Sequence, residues 1–97
     1  MPSQRRSRNS ITSEILRICS KGATKTKIVY QANLNFLTVK PYLDNLTKKG
    51  FVEVVPQGSK VTYRTTPKGW ELKERFEQFH SEMDKLYVNV WYVFSSS

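Results

Sequence analysis

Cysteine and histidine are almost missing from this 97-residue chain, which has Cys19 and His80 and no other of either kind. One thiol closes no internal disulfide, and one thiol with one imidazole falls short of a common metal cage. Acidic residues are scarce over most of the length. Residues 1–68 carry 13 Lys/Arg against 3 Asp/Glu, and residues 69–97 carry 3 against 5, so the net charge of +8 divides into +10 and −2. The acids that do occur sit mainly in the last third, interleaved with bases, which leaves no nucleophile, acid–base pair or metal set held together. An enzyme is not expected, nor any cofactor. No apolar run approaches the ~20 residues that span a bilayer, and residues 1–9 have a basic, polar character without the apolar centre of a secretory signal. The expectation is a protein of the cell interior that needs neither a membrane nor a small-molecule ligand.

What is present is apolar enough to fold. Hydrophobic residues make up 38% and aromatics 12%, too rich for a disordered chain. A single core of this size is thinly covered, so one domain with a partner contact is the natural expectation. Residues 1–9 read as a mobile arm carrying Arg5, Arg6 and Arg8. Ile11, Ile15, Ile18 and Cys19 recur at helical spacing between a cap at Ser10 and a stop at Gly22. Thr24 caps a second helix to about Ala32, with Ile28, Val29 and Ala32 inward, and Asn33-Leu34-Asn35 supplies a tight turn. A third helix runs from about Phe36 to Lys49, buries Val39, Leu43 and Leu46, and stops at Gly50. Pro41 requires either that this helix begin nearer Thr38 or that it kink.

Two β-branched runs, residues 51–55 and 61–65, flank the turn formers of residues 56–60 and read as a hairpin. Thr66-Pro67 then starts a long helix. In it Leu72, Phe76, Phe79, Met83, Leu86, Val90 and Val93 are spaced alternately by four and three, a seam of about three heptads. Residues 87–94 are apolar on every side and fit either a strand or a helix end buried on both faces. Trp70 is placed under the hairpin.

The whole is mainly α with a small β-hairpin, an α+β arrangement. Three helices, a hairpin and a further helix follow one another in the order of a winged helix-turn-helix, with residues 10–69 as the winged unit, 67–94 as the added helix and 95–97 as a tail. Leu37-Thr38-Val39-Lys40-Pro41-Tyr42-Leu43-Asp44-Asn45-Leu46-Thr47-Lys48-Lys49-Gly50-Phe51-Val52 resembles the recognition helix and first wing strand of prokaryotic winged-helix regulators. Tyr63-Arg64-Thr65-Thr66-Pro67-Lys68-Gly69 is similar to the closing motif after their wing. Within that group the sequence looks most like small archaeal winged-helix proteins that dimerise through a C-terminal antiparallel coiled coil and bind DNA, some of them chromatin-associated. That resemblance implies double-stranded DNA as partner, a homodimer, and a place in the cytoplasm on the nucleoid.

A recognition helix needs an anchored face and an outward face of groups that reach base edges and phosphates. Thr38, Lys40, Pro41, Asn45 and Lys48 are the candidates on the third helix, with Asn45 able to pair an adenine. Lys25 and Lys27 open the second helix, where phosphate contact and ordinary surface exposure are equally consistent. Gln57, Ser59 and Lys60 mark the wing, although turn chemistry alone also selects such residues. Arg5, Arg6 and Arg8 are either groove or phosphate contacts or a solvated terminus. The seam is either a dimer interface or a fold-back onto its own domain. Cys19 is read as a buried small hydrophobe, with an intersubunit disulfide as the other possibility, and His80 as a surface residue beside the seam. The leading functional expectation is a homodimeric transcriptional regulator on duplex DNA. Its rivals are an architectural chromatin-type protein of weak selectivity and a winged-helix module that binds an acidic protein.

Overall fold

The computed structural model describes the backbone of residues 7–96 and the side chains of residues 7–86. Helix α1 (Arg8–Ile18) passes through a 3-10 turn (Cys19–Lys21) into α2 (Lys25–Ala32) and α3 (Phe36–Lys48). The antiparallel strands β1 (Val52–Gln57) and β2 (Lys60–Thr65) follow, and α4 (Pro67–Ser96) closes the chain.

The first helix starts earlier than its apolar stripe indicates. Ser7 is the cap, its hydroxyl accepting from the Ser10 amide at 3.0 Å, so Ser10 lies inside the first turn. Arg8 is therefore the first residue of α1 and not part of an arm, whereas Arg5 and Arg6 lie outside the described residues. Both serines are competent caps, and the upstream one wins because it lengthens the helix by a turn without burying any polar group.

The core lies where the three short helices meet the base of the hairpin. Ile11, Ile15, Leu16 and Ile18 of α1 join Ile28 and Ala32 of α2, Val39, Leu43 and Leu46 of α3, and Val52 of β1. Cys19 is fully buried with them, and burial pushes its thiol up from 9.0 to about 12. That is the small hydrophobe of the sequence reading, and it has no surface from which to reach a second chain.

Helix α3 ends in a Schellman arrangement. The Phe51 amide donates to the Leu46 carbonyl at 2.9 Å and the Gly50 amide to that of Thr47 at 3.2 Å, with Gly50 at φ +82° as this stop requires. The hairpin is tighter than its sequence suggests. Gln57 pairs with Lys60, so the strands run through Pro56 and the loop is only Gly58-Ser59. Gly58 at φ +62°, followed by a residue of negative φ, has the sign pattern of a type II′ turn, whose twist suits a hairpin.

Three sets of contacts fasten the hairpin, and only the Thr66 cap among them was announced by the sequence. Ala23 and Tyr63 exchange backbone hydrogen bonds at 2.9 and 2.8 Å, adding a one-residue third strand. The buried Thr65 hydroxyl donates to the Leu16 carbonyl at 2.7 Å. Thr66 caps α4 by accepting from the Gly69 amide at 3.1 Å while donating to the Gly50 carbonyl at 2.6 Å. The position against the hairpin base belongs to Gly69, where an added Cβ would stand 2.0 Å from the Phe51 carbonyl oxygen. Trp70, placed there by the sequence reading, is instead exposed, with the Lys73 ammonium 5.1 Å from its ring centre.

Helix α4 holds 30 residues, roughly 45 Å at 1.5 Å per residue. Residues 87–94 continue it as helix, which decides against a strand. No helix among the described residues is long and apolar enough to cross a membrane.

Candidate nucleic-acid interface

Two asparagines set the turn between α2 and α3. Asn33 takes the left-handed conformation at φ 57°, ψ 45° that ends α2, and the Asn35 side chain accepts from the Thr38 amide at 2.8 Å to start α3. Because that cap fixes the first residue as Phe36, Pro41 falls inside the helix and a start nearer Thr38 is overturned. The missing amide of Pro41 leaves the Leu37 carbonyl without its helical donor, which is tolerable because this side of α3 faces water.

Val39, Leu43 and Leu46 anchor α3. Opposite them, Leu37, Pro41, Asp44 and Lys48 follow at i, i+4, i+7 and i+11, so they form one line along the helix, and all four are exposed. Lys40, read from sequence as free, donates to Asp44 at 2.8 Å, and this hydrogen bond raises its pKa. Thr38 is half-buried on the flank away from Lys40. Asn45, seven residues on and so on the same flank as Thr38, is exposed and borders a cleft of about 290 Å³ with Arg8, Pro41 and Tyr42. The structure thus brings Arg8 and Asn45 together although 37 positions separate them.

Around this helix the other candidates are spread rather than clustered. Lys27 is exposed near the start of α2, while Lys25 is half-buried with its ammonium 4.9 Å from the Phe36 ring centre. Thr24 caps α2 by accepting from the Lys27 amide at 3.2 Å. Gln57, Ser59 and Lys60 are exposed at the wing tip. Lys27, Lys48 and Lys60 form no ion pair with any described residue.

Sequence reasoning passed over three exposed residues of this surface. Tyr30 is 84% exposed on α2 and Leu37 is 80% exposed in the first turn of α3. Arg64, exposed on β2, faces Glu53 across the hairpin. The signal for Tyr30 and Leu37 was their offset by two residues from Ile28 and Val39, which turns an apolar side chain away from the core.

The seam of α4 divides. Leu72 and Phe76 are half-buried and pack against the core of their own chain. Phe79 and Leu86 are 56% and 52% exposed, with Met83 half-buried between them. The side chains of Val90 and Val93 lie outside those described. Glu71–Arg75 and Lys73–Glu77 ion pairs at 3.5 and 2.6 Å stiffen the helix, and His80 is exposed. No group of three or more His, Cys, Asp or Glu among the described residues is placed to hold a metal.

The winged helix-turn-helix family matches residues 5–84, and the chain belongs to it. Among solved structures it is similar to Sso10a-2, a DNA-binding protein from Sulfolobus solfataricus, at TM-score 0.82 and 30% identity over 91% of this chain and 93% of that one. MepR, a transcription regulator of the Staphylococcus aureus multidrug efflux pump MepA, shares the fold at TM-score 0.71 and 21% identity over 81% of this chain and 62% of its own. An uncharacterised protein of Methanocaldococcus jannaschii is 35% identical over 79 residues, which are 80% of this chain and 36% of that protein. The chain thus spans about a third of the length of this curated relative.

Proposed function

We propose that the protein binds double-stranded DNA as a homodimer, in the architectural manner of a chromatin-associated protein with weak sequence selectivity. The observation that carries this reading is the concentration of +10 on residues 1–68, the part that holds α3 and the wing. Phosphate contacts by lysine and arginine position a protein without reading sequence. Lys27, Lys48 and Lys60 come from α2, α3 and the wing, and Tyr30 adds a hydroxyl donor. Arg5 and Arg6 extend this charge at the start of the chain, and Arg8 and Lys25 stand beside it.

Weak selectivity is supported by what the outward line of α3 offers. Leu37 and Pro41 carry no side-chain donor or acceptor, and Asp44 is engaged with Lys40. Asn45 and Thr38 bring neutral polar groups beside this line, both on one flank. Likeness to a DNA-binding protein of the same extent, Sso10a-2, supports this reading more than the fold shared with the longer MepR supports that of a regulator. The second subunit would pair along Phe79, Met83 and Leu86, continuing through Val90 and Val93.

The test is affinity for duplexes of mixed sequence across a salt series. With about four phosphate contacts per protomer, a dimer should give a slope near −7 in log K against log salt, from about −0.9 per contact. The best selected sequence should exceed a random one by less than about 10³. Absence of duplex binding at low salt overturns the proposal in favour of an acidic protein partner. A regulator remains the second reading because Asn45 is exposed with an amide that can pair adenine. In that case Asn45→Ala would cost about 1–3 kcal/mol at one base position and leave other sequences unaffected.

A further inference from the structure

The outward line of α3 begins with two side chains that can form no hydrogen bond. Leu37 is the second residue of the helix and is 80% exposed, and Pro41 follows one turn later, also exposed. Neither contributes to the core, which takes Val39, Leu43 and Leu46 from the same helix. Lys48 stands at the far end of the same line, beyond the Asp44 that pairs with Lys40, and Lys27 on α2 and Lys60 on the wing are exposed on other elements of the same domain. An exposed apolar strip on a domain of net charge +10 fits a ligand whose periphery is anionic and whose centre offers apolar groups. The major groove of duplex DNA has that form, with phosphates along both rims and the thymine C5 methyl on its floor.

We infer that Leu37, flanked by Pro41, reads the thymine methyl in the major groove, giving an otherwise backbone-directed protein a shallow preference for thymine. This rests on the DNA-binding reading above. The first turn of a recognition helix is the part that approaches base edges. A leucine there gains by covering a methyl, and it leaves the amino groups of adenine and cytosine and the O6 of guanine unpaired when it covers those instead. Burial of one methyl is worth about fourfold in affinity, and two recognition helices on one duplex make this roughly fifteenfold. A preference of that size stays inside the range of a weakly selective protein.

Replacing thymine by deoxyuridine removes the methyl and nothing else from the base. The full-length protein should therefore bind an alternating adenine–thymine duplex of about 30 base pairs roughly fifteenfold more tightly than the same duplex made with deoxyuridine. Leu37→Ala should bind the two alike, at the affinity the unaltered protein has for the deoxyuridine duplex. Its melting temperature should be unchanged, since the side chain is exposed. 5-Methylcytosine in place of cytosine in a guanine–cytosine duplex should raise binding of the unaltered protein but not of Leu37→Ala. Equal binding of the thymine and deoxyuridine duplexes by the unaltered protein overturns the inference while leaving DNA binding intact. So does a Leu37→Ala protein that keeps the original ratio. Failure to bind any of these duplexes at low salt overturns the DNA-binding reading and this inference with it.

Discussion

The winged head and the far part of α4 meet water on opposite terms. From α1 to Phe76 most apolar side chains close on one another: Ile15, Leu16, Cys19, Ile28 and Val39 are fully buried, Leu72 and Phe76 complete the packing, and the large exceptions, Tyr30 and Leu37, lie on the face assigned to DNA. Beyond Phe76 the same spacing of apolar residues continues, yet Phe79 and Leu86 are more than half exposed within the single chain. Charge divides at nearly the same place, +10 up to residue 68 and −2 after it. The head is finished as a fold and unfinished as an electrostatic surface, so its natural complement is a polyanion. The helix is close to neutral and unfinished as a packed surface. Its natural complement is another apolar seam, which the second copy of the proposed dimer would supply with matching length and spacing.

The largest way to break this contrast is to put a charge into the exposed seam. In Phe79→Glu, dimerisation would desolvate an unpaired carboxylate, a cost of several kcal/mol that a short seam does not absorb. Sedimentation should show a monomer, and circular dichroism should retain the helical signal of the head. Affinity for duplex DNA should fall by about 10²–10⁴, because joining two heads raises affinity through effective concentration alone. A variant that stays dimeric would place the interface elsewhere. One that unfolds would make the far helix part of the core.

A second test asks whether the head is as closed as its burial implies. With its thiol pushed from 9.0 to about 12 by burial, Cys19 should carry roughly 10³-fold less thiolate than a free cysteine near neutral pH. A thiol reagent such as Ellman's should therefore label it only after denaturation. The sign of the pH effect follows. The folded-state value is the higher one, so the stabilisation is full below pH 9 and is lost as pH rises toward 12. Rapid labelling of the native protein would mean that the head opens readily.

The join between the two regions is probed at Gly69. A methyl there meets the Phe51 carbonyl oxygen and the Thr65 side chain, so Gly69→Ala forces α4 away from the hairpin. Urea denaturation should show a loss of about 2–4 kcal/mol, toward the upper end for overpacking because the obstacle is backbone. A loss under 1 kcal/mol would show that α4 shifts freely on the head, and the two regions would then be less distinct than burial suggests.

How much of this was legible depended on whether the information was local. The caps at Thr24, Asn35 and Thr66, the stop at Gly50 and the buried faces of α2 and α3 each rest on residues a few positions apart, and all were readable. The Thr65–Leu16 hydrogen bond spans 49 positions and the Ala23–Tyr63 bridge 40, and neither has a local signature. The same holds for the cleft shared by Arg8 and Asn45. Ser7 and Ser10 were equivalent as caps until the first turn was in place. At the candidate interface the cations were visible as composition, but composition treats Lys40 and Lys48 alike. Only the helix shows that one is held by Asp44 and the other is not. Leu37 was overlooked because the outward face of α3 was searched for groups that donate hydrogen bonds or carry charge, and an outward leucine has neither.

The smallest effect sharpens the head's own surface. Asp44 is the only acid on α3, and it lies on the outward line with its carboxylate on Lys40. An exposed ion pair contributes little to folding, because water and salt screen it and two long side chains must be held in place. Asp44→Ala should accordingly leave the melting temperature almost unchanged. Its effect on DNA binding has the opposite sign to most substitutions on a binding face. Removing the carboxylate takes away repulsion from phosphate and releases Lys40, so affinity should rise a few-fold, with the salt slope steeper by about one contact, or −0.9, for each Lys40 recruited. Titration of a mixed-sequence duplex at several salt concentrations measures both quantities. If affinity falls instead, Asp44 is itself a base contact, the natural one being the amino group of cytosine, and the outward line of α3 reads more sequence than its apolar first turn implies.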